Sequence, residues 1–199
     1  MLRPAYPIAT ERLLLRPFAP GDLDVLVQIH SDPDVVRFLP WGVRGRDELR
    51  SVLEDKAART AIERDGDVLN LAAELAATGA VVGDVTLFFH SGEHRQGEVG
   101  YIMHPAHGGR GYATEAAREL LRIGFEELGL HRITGRLDGR NEASARVLER
   151  LGMRREAELV ENELVKGEWS VEVVYAMLDR EWRASAARAG SGSDSKRSA

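Results

Sequence analysis

The 199-residue chain contains no cysteine. Disulfide scaffolds, cysteine-ligated zinc, iron–sulfur clusters and a cysteine nucleophile are thereby excluded. A reducing, cytoplasmic setting is compatible with that composition and is the expected one. Excess positive charge is also missing. Against 27 Lys and Arg stand 32 Asp and Glu, a formal net charge of −5, so a broad basic surface for a nucleic-acid backbone is not expected. No apolar run approaches the roughly 20 residues that cross a bilayer, so no membrane partner is expected either. Met1 to Pro7 lacks the apolar stretch of a secretory signal. Histidines are few. His90, His94, His104 and His107 fall on two strands and a loop, at spacings that fit no standard ligand set, so no metal is expected.

What is present has the balance of a folded domain, 43% hydrophobic and 30% charged. Patterned segments occupy residues 8–183 and read as a single domain. From residue 184 the apolar anchors give out, most plainly over the final GSGSDSKRSA, which predicts a disordered tail over 184–199. Alternating patterns predict strands near residues 10–18, 68–76, 81–89, 98–104, 132–138, 154–165 and 169–178. Helical spacing predicts helices over 20–31, 46–64, 113–128 and 141–152. The early strands join as hairpins and strands outnumber helices. The expected architecture is therefore an α+β, mostly antiparallel sheet with helices on both faces, not a doubly wound Rossmann fold.

One stretch carries chemistry: His104-Pro105-Ala106-His107-Gly108-Gly109-Arg110-Gly111-Tyr112-Ala113-Thr114-Glu115-Ala116. A strand ends at Pro105, glycines follow, and the most regular helix of the chain begins at once. The first amides of a helix lack partners and sit at the positive end of its dipole. Glycines let a bulky anion approach the backbone. The string is thus a phosphate cradle or, more plainly, a tight turn that caps a helix. It is not a P-loop, because Gly-Lys-Ser/Thr is absent. A dinucleotide fingerprint fails too. Thr114 replaces its third small residue, and the acidic ribose ligand is missing at the offset of about 20 residues.

Gly109-Arg110-Gly111-Tyr112-Ala113-Thr114-Glu115-Ala116 resembles the coenzyme A pyrophosphate loop of the GNAT superfamily of N-acetyltransferases. Asn141-Glu142-Ala143-Ser144-Ala145-Arg146-Val147-Leu148 resembles a second signature of that superfamily. Thr10-Glu11-Arg12-Leu13-Leu14-Leu15-Arg16-Pro17 is similar to the opening strand of the branch that acetylates the N-termini of ribosomal proteins. The three stand in family order over residues 10–180. One departure is Gly108, in a position where the family carries Gln or Arg, or often Trp in this branch.

The resemblance implies a sheet splayed between two neighbouring strands and acetyl transfer from acetyl-CoA to an amine. It implies that the amides of Gly109, Arg110, Gly111, Tyr112, Ala113 and Thr114 hold the pyrophosphate. Pantetheine would pair with the strand of Tyr101, Ile102 and Met103, and with Asn141. Ser144 would protonate the leaving thiolate, and Glu98 would accept the amine proton. Each has a plainer reading as well: core packing for Tyr101 and Met103, helix capping for Asn141 and Ser144, a solvated charge for Glu98. Glu161 and Glu163 are second candidates for the base, and His104 and His107 could titrate near neutrality. The acceptor is expected to be a protein N-terminal α-amine. A small amine such as an antibiotic or polyamine is the alternative, and a non-catalytic acyl-CoA-binding domain is the rival class. Asp32, Asp34, Glu156, Glu158, Glu161 and Glu163 are expected around the acceptor mouth, where they would steer a cation inward. A monomer or homodimer is expected.

Overall fold

The computed structural model describes residues 1–194. Leu69, Leu71 and Ala73 alternate with Asn70 and Ala72, and Val85 and Leu87 alternate with Asp84 and Thr86. The pleat sends the two sets to opposite faces. These residues build the central strands of an eight-stranded sheet. The strands are β1 (Ile8–Ala9), β2 (Leu13–Arg16), β3 (Val68–Leu75), β4 (Val81–Ser91), β5 (Gln96–Met103), β6 (Arg132–Asp138), β7 (Arg154–Val165) and β8 (Glu168–Leu178). Their spatial order is β1-β2-β3-β4-β5-β6-β8-β7. Every neighbouring pair is antiparallel except β5 and β6. The mixed, mostly antiparallel sheet expected from the hairpin pattern is what forms.

Six helices flank it: α1 (Leu23–His30), α2 (Pro33–Val36), α3 (Arg46–Ala58), α4 (Tyr112–Arg122), α5 (Glu142–Leu151) and α6 (Asp179–Asp194). Ala116, Ala117, Leu120 and Leu121 of α4 and Leu148 and Leu151 of α5 pack on the face that carries Val85, Leu87, Val99 and Ile133. This is the main core. Burying one such aliphatic side chain contributes about 1.5–3 kcal/mol. On the opposite face a smaller cluster joins Leu26 of α1, Leu53 of α3 and Ala72 of β3 with Phe18. The sheet therefore separates two compartments, one under α4 and α5, the other under α1 to α3.

Three boundaries differ from those predicted. The helix from residue 46 ends at Ala58, not near 64. Ile62 exchanges backbone hydrogen bonds with Leu2, and the Asp67 carboxylate accepts from the amides of Glu63 and Arg64, so this segment is satisfied as a bridge and a turn. The helix expected to run to residue 128 leaves the α form after Arg122 and makes a π turn over Ile123–Glu127. There a Cβ on Gly124 would lie 2.5 Å from the terminal methyl of Ile133, so a larger residue would push that side chain aside where the turn rests on β6. Helix α6 continues past residue 183 into the segment expected to be a tail. Buried Trp182 anchors it by stacking on Phe125 at 5.9 Å and donating to Glu126, and the alanine-rich sequence that follows favours helix. Residues 195–199 of the expected tail lie outside the described residues.

Candidate active site

Strands β5 and β6 pair over three positions only, Gln96 with Arg132, Gly97 with Ile133 and Glu98 with Thr134. β6 continues along β8 while β5 continues along β4, so the two part after Glu98. From Val99 to Met103 one edge of β5 has no strand beside it. Open backbone groups on a strand edge can take an extended ligand as an added strand. Here Tyr101 and Met103 pack against the main core, and Ile102 faces the opposite compartment.

The glycine-rich turn lies beyond the end of β5. Gly109 and Gly111 both have left-handed backbones, φ +73° and +82°, which is why glycine is needed at each. Gly111 is the N-cap of α4 and offers no side-chain cap. The Gly108 amide donates to Pro105 and the Glu115 amide to Gly111. Among the described residues, no group accepts from the amides of residues 109–114. They include the first turn of α4, where the helix dipole favours an anion. The Thr114 hydroxyl is buried beside them without a partner, and a Cβ on Gly109 would meet nothing within 4 Å. Arg110 is exposed.

A clamp fixes this turn. Glu115 accepts from the Thr10 hydroxyl at 2.6 Å, from the Arg12 amide at 2.7 Å and from Arg12 Nε at 2.7 Å. Arg12 also donates to the Arg110 carbonyl and lies over the Tyr112 ring. Burial pushes the Glu115 carboxyl up, but these donors outweigh it and hold it below its usual range. In the sequence Thr10, Arg12 and Glu115 stand only as parts of separate strings. Their meeting across more than a hundred residues has no local signal.

The loop after β6 leads into α5. Asn141 is its N-cap, with Oδ1 accepting from the Ser144 amide at 3.1 Å, so the side-chain amide donors stay available to a ligand. The Ser144 hydroxyl donates to Tyr101 Oη at 2.9 Å, and Tyr101 in turn donates to the Ser144 carbonyl at 2.9 Å. A pair of hydroxyls thus bridges the gap between β5 and α5. Burial pushes the Tyr101 phenol up to about 12, so it keeps its proton. In the sequence this tyrosine is expected to act through its backbone alone. Regular alternation with Val99 and Met103 hid the hydroxyl.

Glu98 points to the other face, at the point of parting. It lies opposite Phe88 of β4, 3.4 Å from His90 Nε2 and 3.6 Å from Arg136 Nε. Burial raises its carboxyl above the usual value, and Glu172 adds to this, against the lowering effect of His90 and Arg136. It lines a cavity of about 540 Å³ that runs through the split, walled by β3 to β6, α3, His30 and the Phe38–Trp41 loop and reaching Asn141, Ser144 and Leu148 at the start of α5. Lys166 at the β7–β8 turn donates to the Val36 and Arg37 carbonyls at the end of α2, and Arg140 lies over Phe38 of the following loop.

The remaining predicted residues are placed elsewhere. Glu161 and Glu163 are exposed on β7 and do not line the cavity. Of the expected acidic mouth, Glu156 pairs with Arg132 and Arg154, Glu158 with Arg155, and Asp32 caps α2. Those charges are already engaged. His104 accepts from the Ala106 amide and contacts Gln28 at 2.9 Å, so both ring nitrogens are in use. His107 meets the edge of that ring, and burial lowers its pKa.

The sheet is thus split between two adjacent strands, with an amide-lined turn on one side and a carboxylate on the other. Residues 12–154 match the acetyltransferase (GNAT) domain, and the chain belongs to that family of acetyl-CoA-dependent N-acetyltransferases. It is similar to the uncharacterized N-acetyltransferase YnaD of Bacillus subtilis, 33% identical over 88% of this chain and 98% of that one. It is likewise similar to the crystal structure of a GNAT-family acetyltransferase from Bacillus anthracis, with a TM-score of 0.78, 33% identity, and coverage of 87% and 99%. Spermidine N-acetyltransferase from Vibrio cholerae, solved with CoA and spermine, shares the fold at a TM-score of 0.72 and 23% identity, covering 86% and 98%.

Proposed function

We propose that this enzyme acetylates the α-amine of a peptide or protein N-terminus by direct attack on acetyl-CoA. The observation that carries the reading is that Glu98 from one face of the sheet and the Tyr101–Ser144 pair from the other line one cavity through the parted strands. Acetyl-CoA supplies an activated acetyl thioester. Its pyrophosphate fits the left-handed glycine turn, whose amides donate to nothing else and whose Thr114 hydroxyl is unpartnered. The side-chain amide of Asn141 and the open edge of β5 hold the pantetheine arm.

An amine attacks only as the free base, so a proton must leave its nitrogen and another must reach the departing sulfur. Glu98, directly or through one water, takes the first. Its raised carboxyl is closer in affinity to the proton it must accept than an ordinary glutamate would be. Ser144, backed by the Tyr101 hydroxyl, returns a proton to the thiolate. A backbone N–H on the free edge of β5 stabilises the negative charge on the carbonyl oxygen. No covalent enzyme intermediate is needed, in keeping with a chain without cysteine.

The cavity's charge favours an α-amine over a polyamine. Arg44, Lys56, Arg59 and Arg136 balance Asp55, Asp84, Glu98 and Asp138 along its walls. A polycation would meet as many like charges as opposite ones. The test is release of free thiol from acetyl-CoA on adding N-terminal peptides, small amines or polyamines, with the products identified by mass spectrometry. Acetylated peptide is expected. Thiol release with polyamines alone would reverse the choice of acceptor, and no release with any amine would favour a non-catalytic acyl-CoA-binding domain.

A further inference from the structure

The cavity has a second polar end that the transfer chemistry does not use. Asn70 of β3 and Asp84 of β4 are each 2% exposed, and His30 of α1 is 1% exposed. Asn70 donates through Nδ2 to the Thr86 hydroxyl at 2.6 Å, which leaves Oδ1 without a donor. Lys56 Nζ lies 2.5 Å from Asp84 Oδ2 and engages that oxygen, while Asp84 Oδ1 lacks a donor. Both ring nitrogens of His30 are unpartnered, as is the indole Nε1 of Trp41 in the loop above. All four side chains line the same cavity as Glu98. Buried polar atoms are nearly always hydrogen-bonded, and several left open toward one cavity mark the place of a polar ligand group.

We infer that Asn70, Asp84, His30 and Trp41 form a pocket for a neutral amide group of the acceptor, carried a short way from its reactive amine. This rests on the acetyl-transfer reading and narrows its substrate class. The open atoms ask for donors at Asn70 Oδ1 and at Asp84, and for an acceptor at the Trp41 indole. A carboxamide or peptide amide supplies N–H and C=O together. A cationic head is disfavoured because Lys56 already neutralises Asp84 and would face the newcomer. A carboxylate head would meet the Asp84 and Asn70 oxygens. His30 fits a neutral guest, since burial pushes its pKa down to about 4, Lys56 and Arg44 adding to this against Asp84, and the ring stays uncharged at neutral pH. Register sets the spacing. Asn70 pairs with Thr86 and Thr86 with Gly100, two residues along β5 from Glu98. Asn70 thus stands two strands across and two residues along from Glu98, about 12 Å, a gap that one water on Glu98, an α-amine, its own amide and the hydrogen bonds joining them can span.

The experiment compares alaninamide, isopropylamine, alanine and 1,3-diaminopropane as acceptors for wild type, Asn70→Ala and Trp41→Phe, each acceptor serving as its own reference between proteins. For alaninamide, kcat/KM should fall in each variant by about tenfold more than for isopropylamine, the scale of one buried hydrogen bond lost. Equal losses for all four acceptors, as expected if the pocket holds only water, would overturn the assignment, and so would losses confined to 1,3-diaminopropane. A second readout does not depend on turnover. In the wild-type enzyme with CoA bound, the Trp41 indole N–H resonance should shift on titration with alaninamide and not with isopropylamine. Absence of that shift overturns the pocket even if alaninamide is acetylated. A shift without acetylation of any amine leaves the pocket standing and removes the acetyl-transfer reading instead.

Discussion

The two faces of the sheet are built in different ways. On the face of α4 and α5, the groups proposed to hold acetyl-CoA are mostly backbone: the amides of the Gly109–Gly111 turn, the first turn of α4 and the free edge of β5. On the face of α1 to α3, the proposed acceptor end of the cavity is made of single side chains that converge from distant segments: Glu98 from β5, Arg136 from β6, Asn70 from β3, His30 from α1. A backbone cradle needs a local string of glycines and a helix start, whereas a side-chain pocket needs only that the fold bring lone residues together. A carrier common to many reactions suits the first construction, and an acceptor peculiar to one enzyme suits the second.

The largest effect that could break this contrast is expected at Glu98. Glu98→Gln should lower kcat by about 10²–10⁴-fold near neutral pH, where most amines are protonated, and by less at high pH. The sign follows from its environment. Burial raises the carboxyl, and only the ionised form can take a proton, so the wild-type rate should climb as pH rises through that elevated value. A variant with an unaltered pH–rate profile would pass the role to water.

Next comes the cradle. Gly111→Val puts a β-branched residue at φ +82°. Strain of about 1–3 kcal/mol at such a position, borne in the bound geometry, should weaken acetyl-CoA by about 10–100-fold, measured by calorimetry on protein shown to be folded. Unchanged affinity would remove the turn from the binding site.

A smaller effect sharpens the same side. Glu115→Gln loosens the tie to Thr10 and Arg12, and acetyl-CoA affinity should fall about threefold, the scale of a partly exposed charge-assisted contact. Because the Glu115 carboxyl lies below its usual range, the clamp is intact above the ordinary glutamate pKa and is lost as pH falls through the depressed value. The wild-type affinity should therefore drop in acid, and that drop should be blunted in Glu115→Gln.

The smallest effect lies on the acceptor side. With the cavity's charges balanced and Glu156 and Glu158 already paired, the acceptor KM should change less than about twofold between low and physiological salt. A steep rise with salt would show cation steering after all and would favour a polyamine.

The same contrast explains what could be read from the sequence. Strand and helix patterns were legible from period alone, as were the Gly111 helix start and the Asn141 cap. Order along the chain also implied the parting of two strands, through resemblance. Three things were not legible. The clamp of Thr10 and Arg12 on Glu115 joins segments far apart in sequence. The Tyr101 hydroxyl was hidden in an alternation that reads as core. The acidic mouth looked open because a sequence does not show that Glu156 has two arginines beside it. Where function rests on local backbone form, the pattern carries it; where it rests on pairing between distant charges, only the fold does.

The most direct test of the division between faces measures binding and turnover on one variant. Acetyl-CoA is titrated into wild type and Glu98→Gln by calorimetry, and kcat is taken on the same preparations with a peptide acceptor. Glu98 faces the acceptor compartment, away from the glycine turn, so the Kd for acetyl-CoA should stay within about twofold while kcat falls by about 100-fold or more. A Kd that weakens in step with kcat, or a kcat that does not fall, would contradict it.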